Sequence, residues 1–122
     1  MSRPVLPESR LHPAIRDSVA RLHGELLDEV QSAIAAHSVV VLGMAGNPFV
    51  SRARKALAGA GVDHHYLGYG SYVSQWRRRN ALKMWTGWPT FPMVFVRGML
   101  VGGAQDLERL IEAGELLVLL RE

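Results

Sequence analysis

The run Ser38-Val39-Val40-Val41-Leu42 is the strongest constraint in this chain, because four consecutive apolar, mostly β-branched residues after the serine leave no outward polar position and suit a central strand covered on both faces. Such a strand needs helices on either side of its sheet, which points to an α/β layered domain. At 122 residues and 48% hydrophobic, the chain has enough apolar material for one such core without disulfides or metal. Residues 1–12 are proline-rich and lack periodicity, so they are expected to form an arm, extended or poorly ordered, with a single domain over 13–122.

Around that strand the pattern alternates. Ile15, Val19, Leu22, Leu26, Val30 and Ile34 recur at steps of three and four, which predicts one long amphipathic helix from Pro13 to about Ala36 or His37. After the strand, Pro48 suits a first helical turn and Asn47 its cap, with Phe49, Ala53, Ala56, Leu57 and Ala60 as the buried stripe. A short strand over Val62–Leu67 follows, then a basic helix over Tyr72–Trp85. Met93–Val96 and Met99–Val101 are joined through Arg97-Gly98, a hairpin signal, and a last helix runs from Ala104 to Ala113 with Gly114 as its stop. The order is α-β-α-β-α-β-β-α.

Composition removes several functions. There is no cysteine, so the chain offers no disulfide, no thiolate ligand and no thiol nucleophile. The histidines lack ligand spacing: His64 and His65 are adjacent and would face opposite ways in a strand, which argues against metal. Fourteen Lys and Arg against eleven Asp and Glu leave a net charge of +3, too modest to imply nucleic acid. Arg77, Arg78 and Arg79 resemble a phosphate patch beside Tyr72 and Trp76, but on a helix they splay about 100° apart. No apolar run approaches the roughly 20 residues of a membrane span and no signal peptide is evident, so the expected setting is the cytoplasm.

Thr86-Gly87-Trp88-Pro89-Thr90-Phe91-Pro92, Val94-Phe95-Val96-Arg97-Gly98, Val101-Gly102-Gly103 and Glu112-Ala113-Gly114-Glu115-Leu116 together resemble the glutaredoxins, most of all their monothiol branch. The resemblance covers about Val30 to Leu116. It implies a thioredoxin-like fold: a four-stranded mixed sheet flanked by helices, the first two strands parallel, the last two an antiparallel hairpin, with the long N-terminal helix as an extra. In that family a thiolate sits at a helix N-terminus, and Asn47 and Val50 occupy the places of the two cysteines here. An amide forms no mixed disulfide and an alkyl group resolves none.

The family's glutathione groove is a separate matter. By resemblance, Pro92 is the cis-proline, Phe91 offers its backbone to an extended ligand, and Thr90 also matches. Arg79 and Lys83 match positions that help hold a glutathione carboxylate, and Gly102, Gly103 and Asp106 stand at the ligand's other end. Met44 and Gln105 depart from the family's lysine and aspartate, removing two charges. The resemblance therefore implies a non-redox protein, not an enzyme, with the groove as a binding surface. Glutathione or a peptide is the candidate ligand, with no resident cofactor and an unidentified protein as partner. The alternatives are an enzyme that uses bound glutathione as its nucleophile, and a structural homodimer with no groove ligand, whose interface would be the surplus length of the N-terminal helix.

Overall fold

A computed structural model describes residues 3–121. The chain forms α1 (Pro13–Arg21), α2 (Gly24–Ala36), β1 (Val39–Gly43), α3 (Pro48–Gly59), β2 (His65–Gly68), α4 (Trp76–Thr86), β3 (Met93–Val96), β4 (Met99–Gly102), α5 (Ala104–Glu112) and α6 (Glu115–Arg121). The strands make one sheet in the order β2-β1-β3-β4. β1 runs parallel to β2 and antiparallel to β3, and β3 pairs antiparallel with β4. This is the thioredoxin-like α/β arrangement expected from the sequence.

Every residue of β1 is buried, and alternation along the strand divides the core in two. Val40 and Leu42 join Leu26, Val30, Leu82, Met93 and Phe95 under α2 and α4. Val39 and Val41 join Ala53, Leu57, Val94, Leu107 and Leu116 under α3, α5 and α6. The unbroken apolar run is thus the signature of a strand sandwiched between two helical layers. The β3–β4 turn has positive φ at both Arg97 (52°) and Gly98 (82°), the backbone that matches the right-handed twist of paired strands.

Four expectations need correction. The N-terminal stripe is one pattern but two helices: the chain breaks at Leu22, and His23 takes a left-handed φ of 54° before α2 begins. Only the second half, through Leu26, Val30 and Ala33, reaches the core, while α1 buries nothing and leaves Ile15, Val19 and Leu22 about half exposed. The basic helix starts at Trp76, not Tyr72, because Ser71 and Ser74 tie the preceding residues into a turn: Ser71 N–H donates to Ser74 Oγ and Val73 N–H to Ser71 Oγ. The second strand spans His65–Gly68, starting later than expected. Beyond Gly114, whose φ is 74°, the chain adds α6, which places Leu116 in the core. Within the N-terminal arm, Glu8–Arg10 form a single 3₁₀ turn.

Candidate functional site

The connections β1–α3 and α4–β3 meet at one end of the sheet, and the start of α5 closes the same region. The peptide bond between Phe91 and Pro92 is cis. Beside it lies a cavity of about 350 Å³ walled by Phe49, Trp88, Thr90, Phe91 and Pro92 on one side and Gly103, Ala104, Gln105 and Asp106 on the other.

Asn47 caps α3 and reaches across to the cis-proline segment. Its Oδ1 accepts from Phe49 N–H at 2.9 Å and Val50 N–H at 3.3 Å, satisfying two of the donors a helix start leaves open. Its Nδ2 donates to Phe91 O at 3.4 Å. Both polar atoms of the amide are therefore engaged. Val50 faces the core, with a methyl close enough to β1 that a Cβ on Gly43 would lie 2.7 Å from it. Phe49, expected in the buried stripe of α3, is instead 51% exposed and lines the cavity. The helix buries Val50, Ala53 and Leu57, so the expected stripe holds at Ala53 and Leu57 and Val50 takes the place expected for Phe49.

At α5 the N-terminus is closed by the chain's own carboxylate: Gly103 N–H donates to Asp106 Oδ2 at 3.0 Å. Gly102 makes room for this, since its φ is 113° and an added Cβ would lie 2.6 Å from that oxygen. The need for glycine at 102 is thus met by Asp106 within the protein. At Gly103 a Cβ would sit 3.5 Å from Pro92 O and 3.7 Å from Trp88 Nε1, ordinary contact distances.

The two basic positions separate. Arg79 is 7% exposed, and its Nη1 donates to Tyr69 O at 2.9 Å and to Ser74 O. Its guanidinium holds the β2–α4 connection and does not line the cavity, so the paired anion clamp expected with Lys83 is not assembled. Lys83 remains near the site, with Nζ 5.9 Å from the Phe91 ring centroid. Met44 is buried in the core and Gln105 lines the cavity. Trp88 Nε1 is buried in the cavity wall without a hydrogen-bond partner among the described residues.

The histidines lie elsewhere. His37 and His65 stack at 4.2 Å, while His64 Nε2 accepts from Arg54 Nε at 3.2 Å. Burial, and then the Arg54 charge, hold the His64 imidazole below its ordinary pKa. Among the described residues no group of three or more His, Cys, Asp or Glu is arranged to hold a metal ion, and no helix is long and apolar enough to cross a membrane.

A mixed sheet with a cis-proline facing the cap of the helix after its first strand defines the thioredoxin-like class. The solved structure of oxidized glutaredoxin 2 from Chlamydomonas reinhardtii superposes with a TM-score of 0.69 at 26% identity, covering 80% of this chain and 92% of that one. The buckwheat glutaredoxin-glutathione complex, at 23% identity and a TM-score of 0.71, shares the fold over 80% of this chain and 89% of its own. In sequence, a glutaredoxin-like protein of Dictyostelium discoideum is 44% identical over 102 residues, 84% of this chain and 83% of that protein. Glutaredoxin 4 of Haemophilus influenzae is 33% identical over 104 residues, 80% and 94% of the two chains. No protein-family model matches the sequence. The chain belongs to the glutaredoxin family, and it has no cysteine.

Proposed function

We propose that this member of the family binds without oxidising: it holds an extended ligand, glutathione or a peptide, along Phe91, and performs no thiol-disulfide exchange of its own. The observation that carries this is the state of Phe91. Its N–H makes no hydrogen bond among the described residues, while its C=O receives only the 3.4 Å contact from Asn47. A carbonyl has a second lone pair, so an extended ligand can add to this backbone as a strand. Lys83 supplies positive charge near the Phe91 ring, and Asp106 keeps its second carboxylate oxygen for an ammonium at the opposite end. The glutathione complex of the buckwheat relative supports this choice of ligand.

Use of bound glutathione as a nucleophile requires a base. Asp106 is the one titratable group among the cavity-lining residues; Gly103 N–H holds its Oδ2, and on this reading its other oxygen is committed to the ligand's ammonium, which leaves no cavity-lining base for the thiol. This favours binding over catalysis. Titration with reduced glutathione and with S-methylglutathione, followed by amide chemical shifts, tests the proposal. Both ligands are expected to shift Thr90, Phe91, Gly103 and Gln105 with similar affinity, since no sulfur chemistry is involved. Absence of shifts at millimolar ligand overturns glutathione binding, and thiol-transferase turnover by the pure protein overturns the non-redox assignment.

A further inference from the structure

A second cavity, of about 900 Å³, lies at the other end of the sheet, beside Ser38 just before β1 and the Arg97-Gly98 turn between β3 and β4. Its apolar wall is made by the partly buried Ile34, Trp85 and Leu100 and the buried Phe95, with the Trp85 and Phe95 rings stacked at 6.2 Å. The last turns of two helices open onto it: Ala35 and Ala36 of α2, Trp85 and Thr86 of α4. Helix ends of this kind carry open carbonyls and partial negative charge, so the cavity joins an aromatic wall to a lip that favours a cation.

The chain itself supplies that cation. Arg3 Nη2 donates to Trp85 O at 3.3 Å, and the same guanidinium lies so close over Gly87 that a Cβ there would collide with it. Gly87 ends α4 with a φ of 77°, so the glycine serves both the helix stop and the approach of Arg3. After Arg3 comes Pro4-Val5-Leu6-Pro7, a Pro-x-x-Pro segment. Each proline fixes its own φ and biases the residue before it to extended backbone, which covers Arg3, Pro4, Leu6 and Pro7; Pro7 has φ −60° and ψ 144°. This is the polyproline II conformation, with three residues per turn and about 3.1 Å per residue, so Arg3 and Leu6 share a face roughly 9 Å apart. With Arg3 at the lip, Leu6 is within reach of the aromatic wall, yet Val5 and Leu6 stand 65% and 54% exposed. The cation is seated and the hydrocarbon beside it is not.

We propose that the cavity between the ends of α2 and α4 is the docking site of the chain's own N-terminal arm, a strap with Arg3 as its anchor and Leu6 as the side chain that enters. Pro-x-x-Pro segments suit aromatic-lined grooves because their backbone is already stiff and loses little entropy on binding. Tethering adds to this, since a segment held at Trp85 O meets the cavity at high effective concentration. Closing the strap moves Leu6 out of water and against Ile34 and Trp85. Any other occupant has to displace a segment that is already at the lip. The two cavities share no lining residue, so the proposal does not depend on what the one beside Pro92 binds.

The test is magnetic cross-relaxation in the full chain, from the Leu6 methyls to the ring protons of Trp85. The contact is expected in the wild type and should be lost in Arg3→Glu, which sets an anion against the α4 end. Leu6→Ser and Arg3→Glu should shift the same amides, those of Ile34, Trp85 and Leu100, because either change releases the strap. Both positions are exposed, so the variants keep the fold, as circular dichroism will confirm. A sample that mixes isotope-labelled with unlabelled chains separates contacts within one chain from contacts between copies. The proposal is overturned if the contact is absent from the wild type, if it survives Arg3→Glu, or if the two variants shift different amides. It is equally overturned if the contact arises only between copies, which would assign the cavity to the arm of a second chain.

Discussion

Two helix N-termini converge on the cavity, and they are closed by different chemistry. α3 is capped by a neutral amide, Asn47, which spends its oxygen on the helix and its nitrogen on the cis-proline segment. α5 is closed by the charged Asp106, with a glycine before the helix shaped to admit the carboxylate. Both satisfy open backbone donors, but they leave opposite fields. The first end keeps its partial positive charge facing the cavity, whereas the second has already met its anion. On the binding function proposed above, a ligand's negative group belongs on the α3 and Lys83 side and its positive group on the Asp106 side.

Substitution at the α5 end should have the largest effect. Gly102→Ala introduces a Cβ into a backbone with φ 113° and against Asp106 Oδ2, and we expect a loss of roughly 2–3 kcal/mol in urea denaturation. Part of this loss is the collision and part is backbone strain, and a double-mutant cycle separates them. In an Asp106→Ala background the same glycine change should cost less. Equal costs in both backgrounds would show that the carboxylate does not set the requirement for glycine.

At the α3 end the effects are smaller and more selective. Asn47→Ala should destabilise by about 1–2 kcal/mol through loss of the cap, and Asn47→Ser should recover most of that while still lacking the donor to Phe91 O. If the serine variant is as unstable as the alanine one, the bridge to Phe91 contributes more than the cap does. Asn47→Cys tests the remaining field directly, because the chain has no other thiol. Its pKa, read from thiolate absorbance, should fall below the roughly 8.5 of a free cysteine. A value at or above that would mean Asp106 and burial together cancel the α3 N-terminus.

The same contrast explains how much the sequence discloses. The layered fold is legible because the β1 run cannot serve as an edge and the Arg97-Gly98 turn dictates a hairpin. Asn47 is legible as a cap because a proline follows it. Arg79 is not: residue type and spacing suit an anion site, but carbonyls at Tyr69 and Ser74, left open by the turn before α4, claim the guanidinium first. Phe49 is misplaced because positions 49 and 50 both step correctly to Ala53, a choice resolved only when Val50 is seen against β1. The break at His23 leaves the stripe Ile15, Val19, Leu22, Leu26 intact in the sequence. The left-handed residue is not itself a glycine, so local pattern carries no mark of it beyond the neighbouring Gly24.

The smallest expected effect concerns the link between the two helices themselves. Arg52 on α3 meets Glu108 on α5 through two hydrogen bonds, from Nε and Nη2 to the two carboxylate oxygens. The hydrogen bonds to Arg52, together with its charge and against some burial, hold the Glu108 carboxyl below its ordinary pKa. A carboxylate depressed in the folded state stabilises the fold above its unfolded pKa, and that contribution fades as pH falls through the folded value. The pair is largely solvated, so the contribution is modest and screened by salt. Thermal melts of the wild type and Arg52→Gln should therefore differ slightly near neutral pH in low salt and converge in acid or in high salt. A difference that persists in acid would show that Arg52 holds α3 to α5 by packing of its alkyl stem, and that the two helix starts are positioned without help from charge.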